Sequence, residues 1–188
     1  WTIILGLSII GALAVAPQAH AQTETDARQM FEEGNTHLQR AMRLRGSAQA
    51  RELRNALNLY HQSLRVTRAR SVLFNIAVCY EMLRRYRDAF AYYSEYLRIE
   101  DLSDDDRQSA ESRVTNLRPH VALVEVTTDP PGATIYVDRR DLSPQGVSPI
   151  TVATAPGTRR IIAELEGHDP AETNVESAIG ETHSIALT

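Results

Sequence analysis

The chain has 188 residues, with 24 acidic side chains, 20 basic side chains and a formal net charge of −4. All 20 basic residues are arginines, a bias that a GC-rich genome explains more simply than a functional choice of guanidinium. Cys79 is the only cysteine, so an intramolecular disulfide is excluded and a free thiol buried in a helix is expected.

The N-terminal segment has the features of a secretory signal. Residues 1–16 are almost wholly apolar, and Ala19-His20-Ala21 fits the small-x-small rule for signal peptidase. We predict a signal peptide over residues 1–21 that is truncated at its start, because neither Met nor a basic segment precedes it. An uncleaved membrane anchor is the alternative, since about 20 apolar residues can span a bilayer. Both interpretations place the rest of the chain in the periplasm or outside the cell.

Residues 22–120 are predicted to form a helical domain. Apolar residues recur at steps of three and four over residues 72–83 and again over residues 86–97, which indicates two antiparallel helices. An earlier pair is expected around Phe31 and Tyr60, where about ten extra residues lengthen a helix or form a loop near Gly46. A last helix is expected between Ser103, a candidate N-cap, and Pro119.

Six residues fit the offsets of a roughly 34-residue helical repeat that starts at Arg70: Leu73, Ile76, Ala77, Tyr80, Ala89 and Tyr93. On these residues the segment resembles tetratricopeptide repeats (TPR), which are stacked antiparallel helical hairpins. Tyr96 stands where that family usually has a small residue, and Asp101 where it usually has proline. These departures suggest a terminal or degenerate repeat.

The resemblance to TPR also implies a ligand groove lined by the first helix of the repeat. By family offset, the groove residues are Phe74, Val78, Glu81 and Met82, and the expected ligand is a peptide or a partner helix. The alternative is that Phe74 and Met82 pack against neighbouring helices.

Charge is unevenly distributed, because residues 26–120 have a net charge of +3 and residues 121–188 a net charge of −6. Within residues 39–70 Glu52 is the only acid, against eight arginines: Arg40, Arg43, Arg45, Arg51, Arg54, Arg65, Arg68 and Arg70. Such a basic patch attracts anionic glycans, lipid headgroups or acidic peptides. Export and the near absence of interleaved aromatic residues argue against nucleic acid. A solvated helix face is the alternative interpretation.

Residues 121–188 alternate apolar and polar side chains, which predicts roughly six strands in a small all-β sandwich. Two Pro-Gly pairs, at residues 131–132 and 156–157, punctuate the strands. Proline sets φ for the second position of a turn, and glycine supplies the positive φ of the third. The expected fold class is therefore α + β multidomain, with antiparallel helical hairpins followed by a β-sandwich.

Several short motifs occur in one order along this β-segment: Pro130, Gly132-Ala133, Ile135-Tyr136-Val137-Asp138, Gly146, Ser148-Pro149-Ile150, Pro156-Gly157 and Gly167. On these motifs the segment resembles the PEGA domain, a β-module of envelope and surface proteins. Pro131, Arg139 and His168 depart from the family pattern. The resemblance implies a fold and a location, but it does not imply a substrate.

No catalytic signature is recognisable in the sequence. The glycine-rich phosphate loop, the His-Glu-x-x-His motif and the Gly-x-Ser-x-Gly motif are all missing. One strand face is expected to carry Glu164, Glu166 and His168, which alternate along the sequence. Such a set could form a metal site, but a solvated strand face explains it better. Neither a catalytic residue nor a metal or other cofactor is predicted.

The sequence thus favours a non-catalytic interaction or scaffold protein of a bacterial cell envelope. The TPR-like groove would bind a peptide or partner protein, and the PEGA-like domain would act as a second binding surface or a spacer. One alternative is an exported adaptor segment of a longer membrane-anchored receptor or enzyme. A second alternative is the binding of an anionic polymer by the basic patch.

Overall fold

A computed structural model describes the backbone of residues 16–188 and the side chains of residues 23–188. Five α-helices come first in this part of the chain: α1 (Ala16–Arg43), α2 (Gly46–Val66), α3 (Arg70–Met82), α4 (Tyr86–Leu97) and α5 (Asp104–Leu117). Residues 1–15 of the predicted signal peptide lie outside the described residues, so the signal and its cleavage stay predictions. Among residues 16–188, no helix has both the length and the apolar character that a membrane crossing requires.

The helices form two antiparallel hairpins and a final single helix. The ten or so extra residues of the first hairpin lengthen its helices, since α1 has 28 residues and α2 has 21, against 13 in α3 and 12 in α4. Leu44 and Arg45 alone connect α1 to α2. Cross-helix contacts make α1, α3 and α5 neighbours in one layer, and α2 and α4 neighbours in the other.

Small and aromatic side chains fill the space between the helices. Ala56, Ala77 and Ala89 are fully buried, and so is the ring of Tyr60. Small residues let the helix axes approach, and the aromatic rings then fill the remaining volume to the density of a protein interior. Cys79 is also buried and free, and burial raises the pKa of its thiol to about 12. At that pKa the thiol is protonated and unreactive at neutral pH.

The start of α5 follows from local sequence chemistry. The Ser103 hydroxyl accepts a hydrogen bond from the Asp106 amide at 3.2 Å, which satisfies one of the free N–H groups of the first turn. Asp104 and Asp105 place negative charge at the positive end of the helix dipole. The predicted N-cap is confirmed, and a short 3-10 turn (Arg118–His120) that contains Pro119 ends the helix.

The C-terminal segment forms seven strands: β1 (Ala122–Thr128), β2 (Thr134–Val137), β3 (Gly146–Val147), β4 (Ile150–Thr154), β5 (Gly157–Glu164), β6 (Ala171–Ser177) and β7 (Thr182–Leu187). One sheet has the order β4-β1-β7 and the other β3-β2-β5-β6, and only the β1–β7 pair is parallel. Gly132 and Gly157 have positive φ, as the two Pro-Gly turns require. The two-residue strand β3 is too short to be read from alternation.

The sandwich has its own core, but the helical core also extends into it. Val124, Val126, Ile135 and Ile161 are buried between the two sheets. Leu117 at the end of α5 and Val121 and Leu123 at the start of the β-segment are buried in the same cluster as the helical side chains. Strand β4 packs against α4. The two modules therefore share an apolar junction rather than being joined by a free linker.

Gly34 of α1 lies directly against the ring of Tyr60 on α2. A β-carbon at this residue would lie 2.6 Å from a ring carbon of Tyr60, whose ring is fully buried. Alanine normally favours a helix over glycine by about 1 kcal/mol, but overpacking costs about 1–3 kcal/mol. We expect Gly34→Ala to lower the free energy of unfolding in chemical denaturation. Gln39→Ala, at an exposed position of α1, is the control and should have little effect; equal stability of Gly34→Ala and the native chain would contradict the close approach.

Candidate partner-binding surface

Helix α3 is the central helix of the bundle, and only one strip of it reaches the surface. The strip consists of the residues of α3 that are not buried: Arg70, Ser71, Phe74, Asn75, Val78, Glu81 and Met82. From Val72 to Tyr80 every side chain is buried except Phe74, Asn75 and Val78, which are half-buried. Helices α2 and α4 pack along its sides. The four predicted groove residues, Phe74, Val78, Glu81 and Met82, all lie on this strip because their spacing places them on one helix face.

Three of the predicted groove residues also pack within the bundle. The ring of Phe74 lies 5.4 Å from that of Tyr93 and 5.2 Å from that of Tyr96, measured between centroids. Met82 and Val78 are partly buried against the main helical core. Phe74 therefore supports the helix packing while part of its side chain remains at the surface.

Glu81 links three helices at one end of the strip. Its carboxylate accepts a hydrogen bond from the Tyr93 hydroxyl at 2.8 Å and forms an ion pair with Arg113 at 3.0 Å. Burial, followed by the hydrogen bond to Glu81, raises the pKa of Tyr93 well above its usual range. The network joins α3 to α4 and α5 and orients the carboxylate at the edge of the strip.

A polar cluster that the sequence did not reveal lies beside the strip. Asn35 of α1 accepts hydrogen bonds from the Tyr60 hydroxyl at 2.8 Å and from the Asn75 side-chain amide at 2.9 Å. Burial raises the pKa of Tyr60 well above its usual range, so the hydroxyl stays protonated and can donate. The only signal in the sequence is an asparagine beside the apolar stripe of each first helix, because the contact joins residues 40 positions apart.

The arginines of the basic patch are all exposed, but they fall into two groups. Arg40, Arg43, Arg45, Arg51 and Arg54 surround the α1–α2 turn, here called the hairpin end, and Arg65, Arg68 and Arg70 lie at the opposite end of α2. Arg54 and Arg65 are separated by about 16 Å of helix, whereas charges are screened over about 8 Å at physiological ionic strength. The two groups therefore interact separately with an anion.

Glu52 is shared between His37 and the hairpin end, because Arg51 Nε lies 3.9 Å from its carboxylate. His37 contacts its carboxylate at 2.7 Å, and this hydrogen bond is the main cause that lowers the pKa of Glu52. This partner of His37 lies on the facing helix α2, 15 residues away in the sequence. Arg68, in the other group, pairs with Glu95.

The histidines and acids considered as metal ligands are dispersed. The expectation that Glu164, Glu166 and His168 share one strand face is wrong, because β5 ends at Glu164 and the other two residues lie in the following turn. Glu164 pairs with Arg140 at 3.1 Å. Across the described side chains, no group of three or more histidine, cysteine, aspartate and glutamate residues is arranged to hold a metal ion.

Comparison with known proteins identifies one part of the chain. Residues 121–188 match the family model of the PEGA domain, so the C-terminal sandwich is a PEGA domain. The match does not include the helices, and the resemblance of residues 22–120 to TPR stays a prediction. Neither a curated protein nor a solved structure matches this chain.

His61 lies in an aromatic cluster between α2, α3 and α4. The His61 ring hydrogen-bonds to the Tyr80 hydroxyl at 3.0 Å and lies 5.9 Å from the Tyr92 ring, and the Arg85 guanidinium stacks over Tyr80. Burial lowers the pKa of His61, and Arg65 and Arg85 lower it further. The unfolded chain therefore takes up this proton first as the pH falls.

We expect the stabilisation from neutral His61 to be complete above pH 6.5, the ordinary pKa of histidine, and to be lost as the pH falls through the lower pKa of the folded state. Chemical denaturation at about pH 8 and about pH 5 measures the effect. The loss on acidification should be smaller in His61→Gln, which cannot titrate. An identical loss in both proteins would show that His61 does not contribute.

Proposed function

We propose that this protein is a non-catalytic interaction protein of the cell envelope that binds a peptide or partner protein on the open strip of α3. The observation that carries the proposal is the exposure pattern of α3. Seven of the 13 side chains of α3 are exposed or half-buried, and they lie on one face that includes the apolar side chains of Phe74, Val78 and Met82. Apolar side chains spaced along one exposed helix face are the usual anchors for a peptide or a partner helix.

The arrangement of the helices supports the TPR-like interpretation. Two antiparallel hairpins and a final helix make α1, α3 and α5 neighbours in one layer, as the first helices of stacked repeats would be. Strand β4 packs against α4, in the other layer, and leaves the strip of α3 uncovered. In this proposal the PEGA domain is a second contact surface or a spacer.

The PEGA domain supports the proposed location. PEGA domains are generally extracellular or periplasmic binding-type domains and occur in exported proteins. The apolar N-terminal segment with its Ala-x-Ala site agrees with that location on separate grounds. We therefore propose a periplasmic or extracellular protein, with an uncleaved anchor as the alternative form.

Capture of partners from bacterial envelope extracts tests the proposed surface. Ser71→Arg adds a bulky charge at an exposed position of the strip, and Met82→Ala removes an apolar anchor. Each should reduce the captured partner about tenfold, the loss typical of an interface hot spot. Asn58→Arg, the matched change on an exposed position of α2, should leave capture unchanged.

The ring of Phe74 contacts Tyr93 and Tyr96 inside the bundle, so Phe74→Ala can reduce capture by destabilising the fold. The unfolding temperature of this variant must therefore be measured together with capture. The proposal fails if no stable partner is captured. It also fails if the partner is retained equally by Ser71→Arg, Met82→Ala and Asn58→Arg.

A second candidate function is binding of an anionic glycan or of lipid headgroups by the hairpin end. Its five arginines are exposed, and Glu52, the one acid within residues 39–70, offsets only part of their charge while it contacts His37 and Arg51. Binding to a polyanion such as heparin should weaken steeply as salt rises, because arginines that neutralise the anion release its counterions. The double variant Arg43→Gln/Arg54→Gln should make the dependence of binding on salt concentration shallower. Arg65→Gln, in the other group of arginines, should leave it unchanged. Salt-insensitive binding would eliminate this candidate.

A further inference from the structure

A cavity of about 260 Å³ lies where α4 meets the PEGA domain. Helix α4 contributes Arg87, Asp88 and Ala91 to its wall. The rest comes from the end of β2 and the loop after it, and from the end of β4, the turn that follows and the start of β5. Ligand sites occur preferentially at such interfaces between modules. We call this space the junction cavity.

The junction cavity is lined by two residues whose buried polar atoms have no hydrogen-bond partner. Thr154 is 4% exposed and its hydroxyl has none. Arg159 donates from Nη1 to Asp138 and from Nη2 to the Pro156 carbonyl, yet its buried Nε–H has none. Among the described side chains three buried polar atoms lack a partner, and two of the three belong to this wall. Such groups require an explanation, because an unsatisfied buried polar atom costs about 1–3 kcal/mol.

Charge on the wall decides what kind of ligand fits. Both carboxylates are already paired, Asp88 with Arg85 at 2.9 Å and Asp138 with Arg159 at 3.0 Å. Arg87 is exposed and forms no ion pair within residues 23–188. The uncommitted groups are therefore the Arg159 Nε–H, the Arg87 guanidinium and the Thr154 hydroxyl, which can donate or accept. Guanidinium donors match the oxygens of carboxylates and phosphates.

We propose that the junction cavity binds a small oxyanion ligand, bearing a carboxylate or a phosphate group, through Arg87, Arg159 and Thr154. Thr154 Oγ1 and Arg159 Nε each expose less than 1 Å² in this structure, so a small side-chain movement accompanies the contact. Val137, Leu142 and Ala153 on the same wall offer apolar contact to a short carbon skeleton. The cavity is slightly smaller than the roughly 300 Å³ at which ordinary ligand pockets begin, which limits the bound group to a small one.

The test is a titration of the full, ¹⁵N-labelled chain with butyrate, inorganic phosphate and, as the uncharged match of butyrate, butanol. The Arg159 Nε–H signal and the Thr154 amide report binding directly. We expect saturable shifts with butyrate, phosphate or both, and none with butanol. Saturation by only one of the anions identifies the carboxylate or the phosphate as the recognised group.

Two variants and one control test whether binding takes place in the junction cavity. Arg87→Gln should weaken the apparent affinity about tenfold or more, since it removes a charge-assisted hydrogen bond. Thr154→Val should weaken binding while leaving the unfolding temperature unchanged or higher, because the lost hydroxyl has no partner within the protein. Arg28→Gln, an exposed arginine on α1, should bind as the native chain does.

The proposal is overturned if the shifts are absent, if they rise linearly without saturation, or if Arg87→Gln and Arg28→Gln bind equally well. A lower unfolding temperature in Thr154→Val would show that the hydroxyl has a partner within the protein and would remove it from the site. The outcome is independent of partner capture on α3, because the junction cavity and the strip involve different residues.

Discussion

The bundle depends on the burial of α3, which packs between α2 and α4 in a space filled by alanines and tyrosines. A helix enclosed on both sides must be apolar around most of its circumference, and α3 meets that demand over residues 72–80. The small residues fix how close its neighbours come, and the tyrosines fix how far apart they stay. One strip of α3 remains exposed. The packing of α3 against α2 and α4, rather than the residues of the strip itself, determines which face of the helix this is.

Polar contacts in the bundle give the packed helices a defined register. The Asn35–Tyr60–Asn75 cluster joins α1, α2 and α3, and Glu81 joins α3 to α4 and α5. Half-buried hydrogen bonds of this kind contribute about 1 kcal/mol each, less than the apolar core. These hydrogen bonds matter mainly because they depend on geometry. Two apolar helix surfaces can slide past each other with little loss of contact, whereas a hydrogen bond between partly buried groups breaks when the helices shift.

The junction couples the helical segment to the PEGA domain through a continuous apolar cluster. Leu117, Val121 and Leu123 extend the helical core into β1, the central strand of one sheet. Because that cluster includes the first strand, the sandwich is oriented by the helices from its first residues. The same contact brings the polar ends of β4 and β5 near α4 and creates the junction cavity, which neither module would form alone.

The sequence by itself determined most of the elements and their order, but not strand β3 or the lengths of α1 and α2. Period-two alternation and Pro-Gly turns defined the strands of the sandwich, and steps of three and four defined α3, α4 and the capped start of α5, because these signals depend on neighbouring residues. Only the tertiary structure decided the Asn35–Asn75 contact, the His37–Glu52 pair, the division of the arginines and the junction cavity. Each of these depends on where residues distant in sequence lie in space. Helix length and packing decide which distant side chains meet, and local periodicity does not encode either of them.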